Sequence, residues 1–444
     1  MGGGAAGARE GSAMLFKNIA LLDEDFAYQP DRWVGVRDGR IAYIGEEAPA
    51  DADAYGEVYD GAGKLLMPAL YNAHAHAPMV LLRGYAENLP LQAWLEQKCW
   101  PFEAKITPED NYWAMLLACA EMARYGGVSF SDMYYATRER AQAVTEAGLK
   151  ANLSEGLLAF DPKPYADYPQ CALNEELVRD LHGSADGRIR IDYNIHAEYT
   201  SNPQVCADVA AIAREKGLRV HLHASETRSE VEECRGRHDG LSPIAYFASI
   251  GVLDAPVTAA HCVWVDDDDM AILRDKGVFV ANCPASNMKL GSGFAPIPQM
   301  LERGVNVCLG TDGMASNNNH DLFQDMYLMG LIYKGCQLDP AVVSPAQVLR
   351  AATRMGALSQ GRDDCGLVRE GMRADLCVLD VTGPQWCPQT APDYNVLYAG
   401  SGSDVVLTMC DGAVVYRDGS WPTIDVERAK AEVAERTRRI ISEL

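Results

Sequence analysis

The chain has 444 residues, 48% hydrophobic and 23% charged, the composition of an ordinary globular protein long enough for one large domain with an appendage. A formal net charge of −23 argues against nucleic acid and anionic membrane surfaces as partners. No apolar run reaches the roughly 18 residues that a membrane-crossing helix needs, and thirteen scattered cysteines without a C-x-x-C pair fit reduced thiols in a cytoplasmic protein.

Residues 1–13 begin Met1-Gly-Gly-Gly-Ala-Ala-Gly and lack the basic and apolar regions of a secretory signal, so they read as a disordered leader. Residues 14–65 read as short strands. Met14–Leu22 is apolar-rich, and Trp33–Glu46 has the pattern of a hairpin turning at Asp38-Gly39. From residue 66 to 365 strand-like runs alternate with helical stretches. The strands are expected to end near His74, Met133, Leu158, His196, His223, His261, Asn282 and Asp312. Thr107-Pro108-Glu109-Asp110 carries the signals of a helix start, namely an N-cap, proline at the first position and early acids. Ser344-Pro345 opens another helix, and the acidic run Asp266–Asp269 suits a helix N-terminus through the dipole. Eight β/α units predict an α/β protein with a (β/α)8 TIM-type barrel. A doubly wound open sheet is the alternative, but no glycine-rich phosphate loop follows any strand. Residues 366–423 return to β texture, with Asp375–Asp380, Asp404–Met409 and a turn at Asp411-Gly412. With residues 14–65 they are expected to form a composite small β-domain, a β-sandwich built from the N- and C-terminal segments. Residues 424–444 form a charged amphipathic C-terminal helix.

Six of the nine histidines fall at predicted strand ends: His74, His76, His196, His221, His223 and His261. Singly, each reads as a hydrogen-bonded core histidine. Together on the C-terminal rim of a barrel, where such folds place their active sites, they point to a site. His74 and His76 share a strand face, as do His221 and His223. Glu226 follows three residues after His223, where a loop carboxylate can act beside a ligand as a proton carrier. Asp312 closes the eighth strand. His74, His76, His223 and Asp312 thus offer three nitrogens and one oxygen, which suits zinc or another borderline divalent ion with a position left for water.

These residues stand in longer motifs: His74-Ala-His-Ala-Pro-Met-Val-Leu-Leu-Arg-Gly, Trp94-Leu with Trp100-Pro-Phe-Glu103, His223-Ala-Ser-Glu-Thr, Ala260-His-Cys, Asn282-Cys-Pro-Ala-Ser-Asn and Gly310-Thr-Asp-Gly-Met-Ala-Ser-Asn-Asn. In them the chain resembles the amidohydrolase superfamily from Met14 onward, in the branch of cytosine, guanine, chlorotriazine and adenosine-type aminohydrolases, and within it the 5-methylthioadenosine/S-adenosylhomocysteine deaminase family. The resemblance implies one catalytic metal ion held by His74, His76, His223 and Asp312, with zinc the first choice and Fe2+ or Mn2+ the alternatives. The fourth strand, Ile189–His196, has no lysine to bridge a second ion. It further implies that Asp312 accepts the proton of the attacking water, that His261 orients that water, and that Glu226 protonates N1 of adenine. Glu103 is implied to bind ribose hydroxyls and His196 the purine.

One position departs from the family. Glu155 stands in the third-strand segment where an arginine meets the carboxylate of S-adenosylhomocysteine. Glu155 is therefore expected at the substrate, where it favours an uncharged 5′ group, as in 5′-methylthioadenosine, 5′-deoxyadenosine or adenosine. Met79, Trp94 and Trp100 are expected to line or support the pocket. Asn282, Ser286 and Asn287 read equally as site or loop residues, and His320 as a surface or helix-cap residue. The function implied is hydrolytic deamination of an adenosine-like nucleoside, with a small molecule as the partner and a homo-oligomer as a form common on such barrels. The competing readings are deamination or dehalogenation of a free heterocycle (guanine, 8-oxoguanine, a pterin or a triazine), hydrolysis of a cyclic amide, and a non-catalytic scaffold.

Overall fold

The structure is a computed structural model and describes residues 13–444, so the leader expected over residues 1–13 lies, but for its last residue, outside the described residues. Met14–Leu22 (β1) pairs antiparallel with Tyr28–Arg37 (β2), which turns into Arg40–Gly45 (β3). The turn is tight because Asp38 and Gly39 both take left-handed backbone, with φ of 52° and 72°, the geometry that matches the twist of a two-residue hairpin. Glu57–Asp60 (β4) and Lys64–Pro68 (β5) run parallel to β1.

Two five-stranded parallel sheets follow. The first contains Leu70–His76 (β6), Gly127–Tyr134 (β7), Lys150–Glu155 (β8) and Ile189–Ile191 (β9). The second contains Tyr193–Ile195 (β10), Val220–Ala224 (β11), Val257–His261 (β12), Phe279–Asn282 (β13) and Asn306–Leu309 (β14). Asp312–Gly313 (β15) returns to the first sheet beside Ala75 and His76 of β6. Only Asp192 separates β9 from β10. Its N–H donates to Leu153 O on β8 at 2.9 Å, and the next N–H, of Tyr193, donates to Arg219 O beside β11 at 2.9 Å. Only Gly310 and Thr311 separate β14 from β15, and Gly310 N donates to Asn282 O at 2.9 Å. Most residues of these strands are buried, as expected of parallel strands covered on both faces, which is why the sequence shows apolar runs rather than alternation.

Helices follow most of the strands, and their starts obey the local signals. Thr107 and Asp110 form a reciprocal capping box at the head of the helix Pro108–Arg124, and Asp266 and Asp269 do the same for Asp267–Asp275. The third strand stops at Glu155 rather than near Leu158. Gly156 N still bonds Tyr134 O at 2.8 Å, but the chain then enters a loop containing Pro162 and Pro164, which have no N–H to give a ladder.

Leu376–Asp380 (β16), Val405–Cys410 (β17) and Ala413–Arg417 (β18) join β1–β5 in one eight-stranded sheet, β16 lying antiparallel against β5. Lys150, at the base of β8, ties this sheet to the parallel strands. It pairs with Asp375 and, at 2.8 Å, with Asp411, while Tyr71 of β6 donates to the same Asp375. The last helix, Val426–Ser442, packs on Pro108–Arg124, with Arg436 bound to Glu109 at 2.7 Å and Asp110 at 3.2 Å. Among the described residues no helix is long and apolar enough to cross a membrane, and the thirteen cysteines are free thiols.

Candidate active site

Four strands deliver the ligand-type side chains. His74 and His76 come from β6, His221 and His223 from β11, His261 from the end of β12 and Asp312 from the start of β15. At the last two positions the backbone leaves the extended region: φ is 72° at His261 and 63° at Asp312, and Ser225, just past β11, sits at 53°. Left-handed backbone at a non-glycine residue costs on the order of 1 kcal/mol or more and persists where surrounding structure imposes it. Here three such residues bend the chain at neighbouring strand ends around one site.

The hydrogen bonds behind the histidines decide what faces the centre. His76 Nδ1 donates to Met133 O at 2.5 Å and His223 Nδ1 to His196 O at 2.6 Å. A ring nitrogen facing a carbonyl must carry hydrogen, so in the neutral rings both Nε2 atoms are left as lone pairs. These two atoms face each other at 3.2 Å. Asp312 Oδ1 lies 3.4 Å from His76 Nε2 and 3.3 Å from His74 Nε2, while its other oxygen accepts from Ser286 Oγ at 2.5 Å and Ser316 Oγ at 3.2 Å. His74 Nε2 is buried and makes no hydrogen bond with proper geometry, and His74 Nδ1 is held by His221 Nε2 at 2.8 Å. The donor atoms of His74, His76 and His223 lie within 4.8 Å of one another, as do those of His74, His261 and Asp312. Proton-free nitrogens and a carboxylate oxygen crowded together repel unless a cation lies among them. The donor set fits a borderline divalent ion, with the outer hydrogen bonds that orient such ligands already made.

Electrostatics agree with that reading. Burial lowers His74 to about 4 and His196 to about 3, and drives His223 well below its ordinary value, so these rings are neutral and able to act as donors of lone pairs. Burial would raise the Asp312 carboxyl, but the histidines packed around it, His74 first and then His261 and His76, hold it well below the usual carboxylate range.

Glu226 stands beside this cluster. Its Oε2 is 3.7 Å from His261 Nε2, and His261 Nδ1 is fixed by Asn287 Oδ1 at 2.9 Å. Burial pushes the Glu226 carboxyl upward although His261 pulls it down, and the net shift is upward. Burial also depresses His261, but the charges of Glu226 and Asp312 outweigh it and leave the ring raised. A carboxyl with a raised pKa next to a cation site suits proton delivery.

One cavity joins His76, His196, His223, Glu226, His261 and Asp312 to Glu103, Met79, Trp94 and Trp100. His196 Nδ1 is anchored on Thr200 Oγ1 at 2.9 Å. Burial raises the Glu103 carboxyl to about 7, and the neighbouring Tyr134 hydroxyl lowers it only in part. Among the described residues lining the cavity, none is lysine or arginine. Glu155 is not brought to it. Its carboxylate turns back to accept from Thr137 N at 2.9 Å, Thr137 Oγ1 at 2.7 Å and Ala136 N at 3.3 Å, so it stabilises the start of the helix Thr137–Ala147, and its neighbours Gly156 and Leu157 line the cavity instead. His320 is likewise not a surface residue: it is 2% exposed, with Thr311 Oγ1 3.5 Å from Nδ1.

His221, expected at a strand end beside His223, backs His74. Two further residues near the centre, Glu230 and Ser292, escaped the reading of the sequence. Glu230 accepts from Ser225 N at 2.9 Å, Glu226 N at 2.7 Å and Thr227 N at 3.4 Å, and so holds the loop that aims Glu226. The Thr227-x-x-Glu230 capping-box pattern was the available signal for it. Ser292 donates to Glu226 Oε1 at 3.4 Å from a loop with no local signature.

The alternating strands and helices with this cluster at the strand ends define a hydrolase of the metal-dependent type, and comparison places it: residues 65–415 match the amidohydrolase family, and the chain belongs to that family. It is similar to the 5-methylthioadenosine/S-adenosylhomocysteine deaminase of Pelotomaculum thermopropionicum, 39% identical over 416 residues covering 91% of this chain and 95% of the relative. It is also similar to the 5′-deoxyadenosine deaminase of Methanothermobacter thermautotrophicus, 40% identical over 409 residues covering 90% and 94% of the two chains. Among solved structures, the adenosine deaminase of Xanthomonas campestris with bound zinc superimposes with a TM-score of 0.90 at 29% identity, covering 97% of this chain and 98% of that one.

Proposed function

We propose that the protein is a metal-dependent hydrolytic deaminase of adenosine-like nucleosides, giving the inosine analogue and ammonia. The observation that carries this reading is the pair of proton-free Nε2 atoms of His76 and His223, 3.2 Å apart beside Asp312, with Glu226 3.7 Å from His261. The names of relatives about 40% identical give the substrate class. We assign His74, His76, His223 and Asp312 as the ligands of one divalent ion, zinc by similarity to the Xanthomonas structure. The ion, when bound, supplies Lewis acidity that brings the pKa of a water molecule toward neutrality.

This chain's own residues do the rest. Asp312 Oδ1 takes the proton of the attacking water. His261 Nε2 orients that water, its ring held from behind by Asn287. Glu226 Oε2 gives a proton to N1 of the adenine as oxygen adds to the neighbouring amino-bearing carbon, so that the ring does not accumulate negative charge. Glu103 accepts hydrogen bonds from the ribose hydroxyls, and His196 contacts the purine. Trp94, Leu95 and Leu157 cover the cavity with apolar surface and exclude bulk water.

We infer with it a closed (β/α)8 barrel over residues 66–365, in which β9 continues into β10 and β14 into β15. Residues 14–65 and 366–423 make up the composite β-domain, its sheet folded into a small sandwich, and residues 424–444 the terminal helix. Glu155 acts one step removed, by fixing the turn next to Tyr134 and Tyr135, and carries no direct contact with substrate. The preference for an uncharged 5′ group rests instead on a cavity wall with carboxylates and no cation.

The test is a panel on metal-loaded protein, read by ammonia release and by the ultraviolet change from adenine to hypoxanthine. It comprises 5′-methylthioadenosine, 5′-deoxyadenosine, adenosine, S-adenosylhomocysteine, guanine, a pterin and a chlorotriazine. We expect the uncharged nucleosides to lead, with S-adenosylhomocysteine behind them. Turnover of a free base or triazine in preference to every nucleoside would overturn the assignment, because Glu103 would then have no ribose to hold.

A further inference from the structure

A second cavity of about 330 Å³ adjoins the catalytic cavity. Leu91, Tyr199 and Leu290 line both it and the catalytic cavity, and Ser292 and Trp264 complete the walls that matter here. The Glu226 carboxyl lines the catalytic cavity: one oxygen faces His261 Nε2 at 3.7 Å, and the other receives, at 3.4 Å, the hydroxyl of Ser292, which lines the second cavity.

The following step rests on the proposed function, in which Glu226 protonates N1. In a purine N1 has two ring neighbours, C6 and C2. C6 is the carbon attacked by water and must lie on the His261 side. C2 therefore lies on the Ser292 side, and any group attached to it points, in the ring plane, at the wall shared by the two cavities. We propose that the second cavity is a subsite for a substituent on C2, and that the enzyme deaminates 2-amino and 2-alkylamino adenosine nucleosides to the corresponding guanosine-type products.

The chemistry of the wall selects the class. Ser292 Oγ gives its hydrogen to Glu226 and keeps lone pairs for an N–H on the C2 substituent. Beyond it the cavity is lined by Glu233 and by Glu230, whose carboxylate already accepts from three backbone N–H groups, while the guanidinium of Arg228 is bound to Glu232 at 2.7 Å, so hydrogen-bond donors are favoured over anions. The apolar walls of Leu91, Leu290 and Trp264 suit a short alkyl chain on that nitrogen. The reaction is otherwise unchanged: water adds at C6, the 6-amino nitrogen leaves as ammonia after gaining protons, and the C2 substituent is retained.

The experiment compares kcat/KM of the metal-loaded enzyme for adenosine, 2-aminoadenosine and 2-(propylamino)adenosine. We expect both derivatives within about tenfold of adenosine, since a pocket that accommodates a group without stranding a polar atom discriminates little against it. The variants Gln92→Trp and Ser229→Phe, each filling the outer cavity from an exposed position, are expected to lower the propylamino compound about tenfold or more relative to adenosine while leaving adenosine unchanged. The subsite is overturned if adenosine is deaminated while the propylamino compound falls more than about a hundredfold in the native enzyme, or if a folded filling variant lowers both substrates equally. If no adenosine is deaminated while a free base is, the proposed function fails and the subsite with it.

Discussion

At the scale of one residue, the ribose contact proposed for Glu103 separates a nucleoside enzyme from a free-base enzyme, and its protonation makes the distinction measurable. Burial raises its carboxyl to about 7. Below that pH the group is mostly protonated, and one of its oxygens is then a donor. Above it both oxygens accept, which is what two ribose hydroxyls require. KM for adenosine-type substrates is therefore expected to fall as pH rises through about 7, and the dependence is expected to flatten in Glu103→Gln and with a 2′,3′-dideoxy substrate. A pH series of KM on the native enzyme and this variant checks it. The residues proposed to touch substrate or ion were the ones whose positions were most legible in the sequence. His74, His76, His223, Glu226, His261 and Asp312 all stand at strand ends or within three residues of one. Glu155 was misplaced because strand position says which segment faces the rim, not which way a side chain turns once neighbouring backbone N–H groups compete for it.

At the scale of the element, the site depends on how closely the link between β14 and β15 approaches β6. A Cβ on Gly310 would meet His74 Cβ at 2.9 Å and the His74 backbone N and O at 3.0 Å. Backbone cannot yield as a flexible side-chain tip can, so Gly310→Ala must push the Asp312 segment away from His74. Overpacking of this kind costs about 1–3 kcal/mol. The expected outcome is weaker metal retention during dialysis against a chelator together with a lower melting temperature. Unchanged metal retention would show that the two strands do not need this contact. Helix starts at Thr107, Asp266 and Ser344 were readable because capping chemistry is local. The breaks at Asp192 and at Gly310-Thr311 were not, because they mark where hydrogen bonding passes from one neighbouring strand to the other, which depends on residues far away in sequence.

The whole molecule is held together across its two kinds of sheet by Lys150, Asp375, Asp411 and Tyr71. Burial lowers the Lys150 ammonium, but the two aspartates raise it by more, so its folded value lies above the ordinary one. A raised lysine stabilises in full below its unfolded pKa and loses that contribution only as pH climbs through the folded value. Asp375 is held low, so its contribution is present above the ordinary carboxylate pKa and lost as pH falls. At neutral pH the joint is thus complete. Lys150→Met leaves buried carboxylates without their cation and is expected to cost about 3–5 kcal/mol, seen as a lower melting temperature with little change in KM, because the joint lies at the base of β8 and the candidate site beyond the other ends of the strands. Nothing local announced this joint. Lys150 reads in sequence as an ordinary strand-start lysine, and its partners lie more than 200 positions away. The alternation of parallel strands with helices was legible as a pattern, because it repeats locally along the chain.

The central claim, one ion held by His74, His76, His223 and Asp312 and required for deamination, is tested most directly by titration. Protein stripped with a chelator is given zinc in steps while ammonia release from 5′-methylthioadenosine is measured. Activity is predicted to start near zero, to rise in proportion to added zinc and to level off at one equivalent per chain. Full activity in the stripped protein, or a break at two equivalents, would contradict the account.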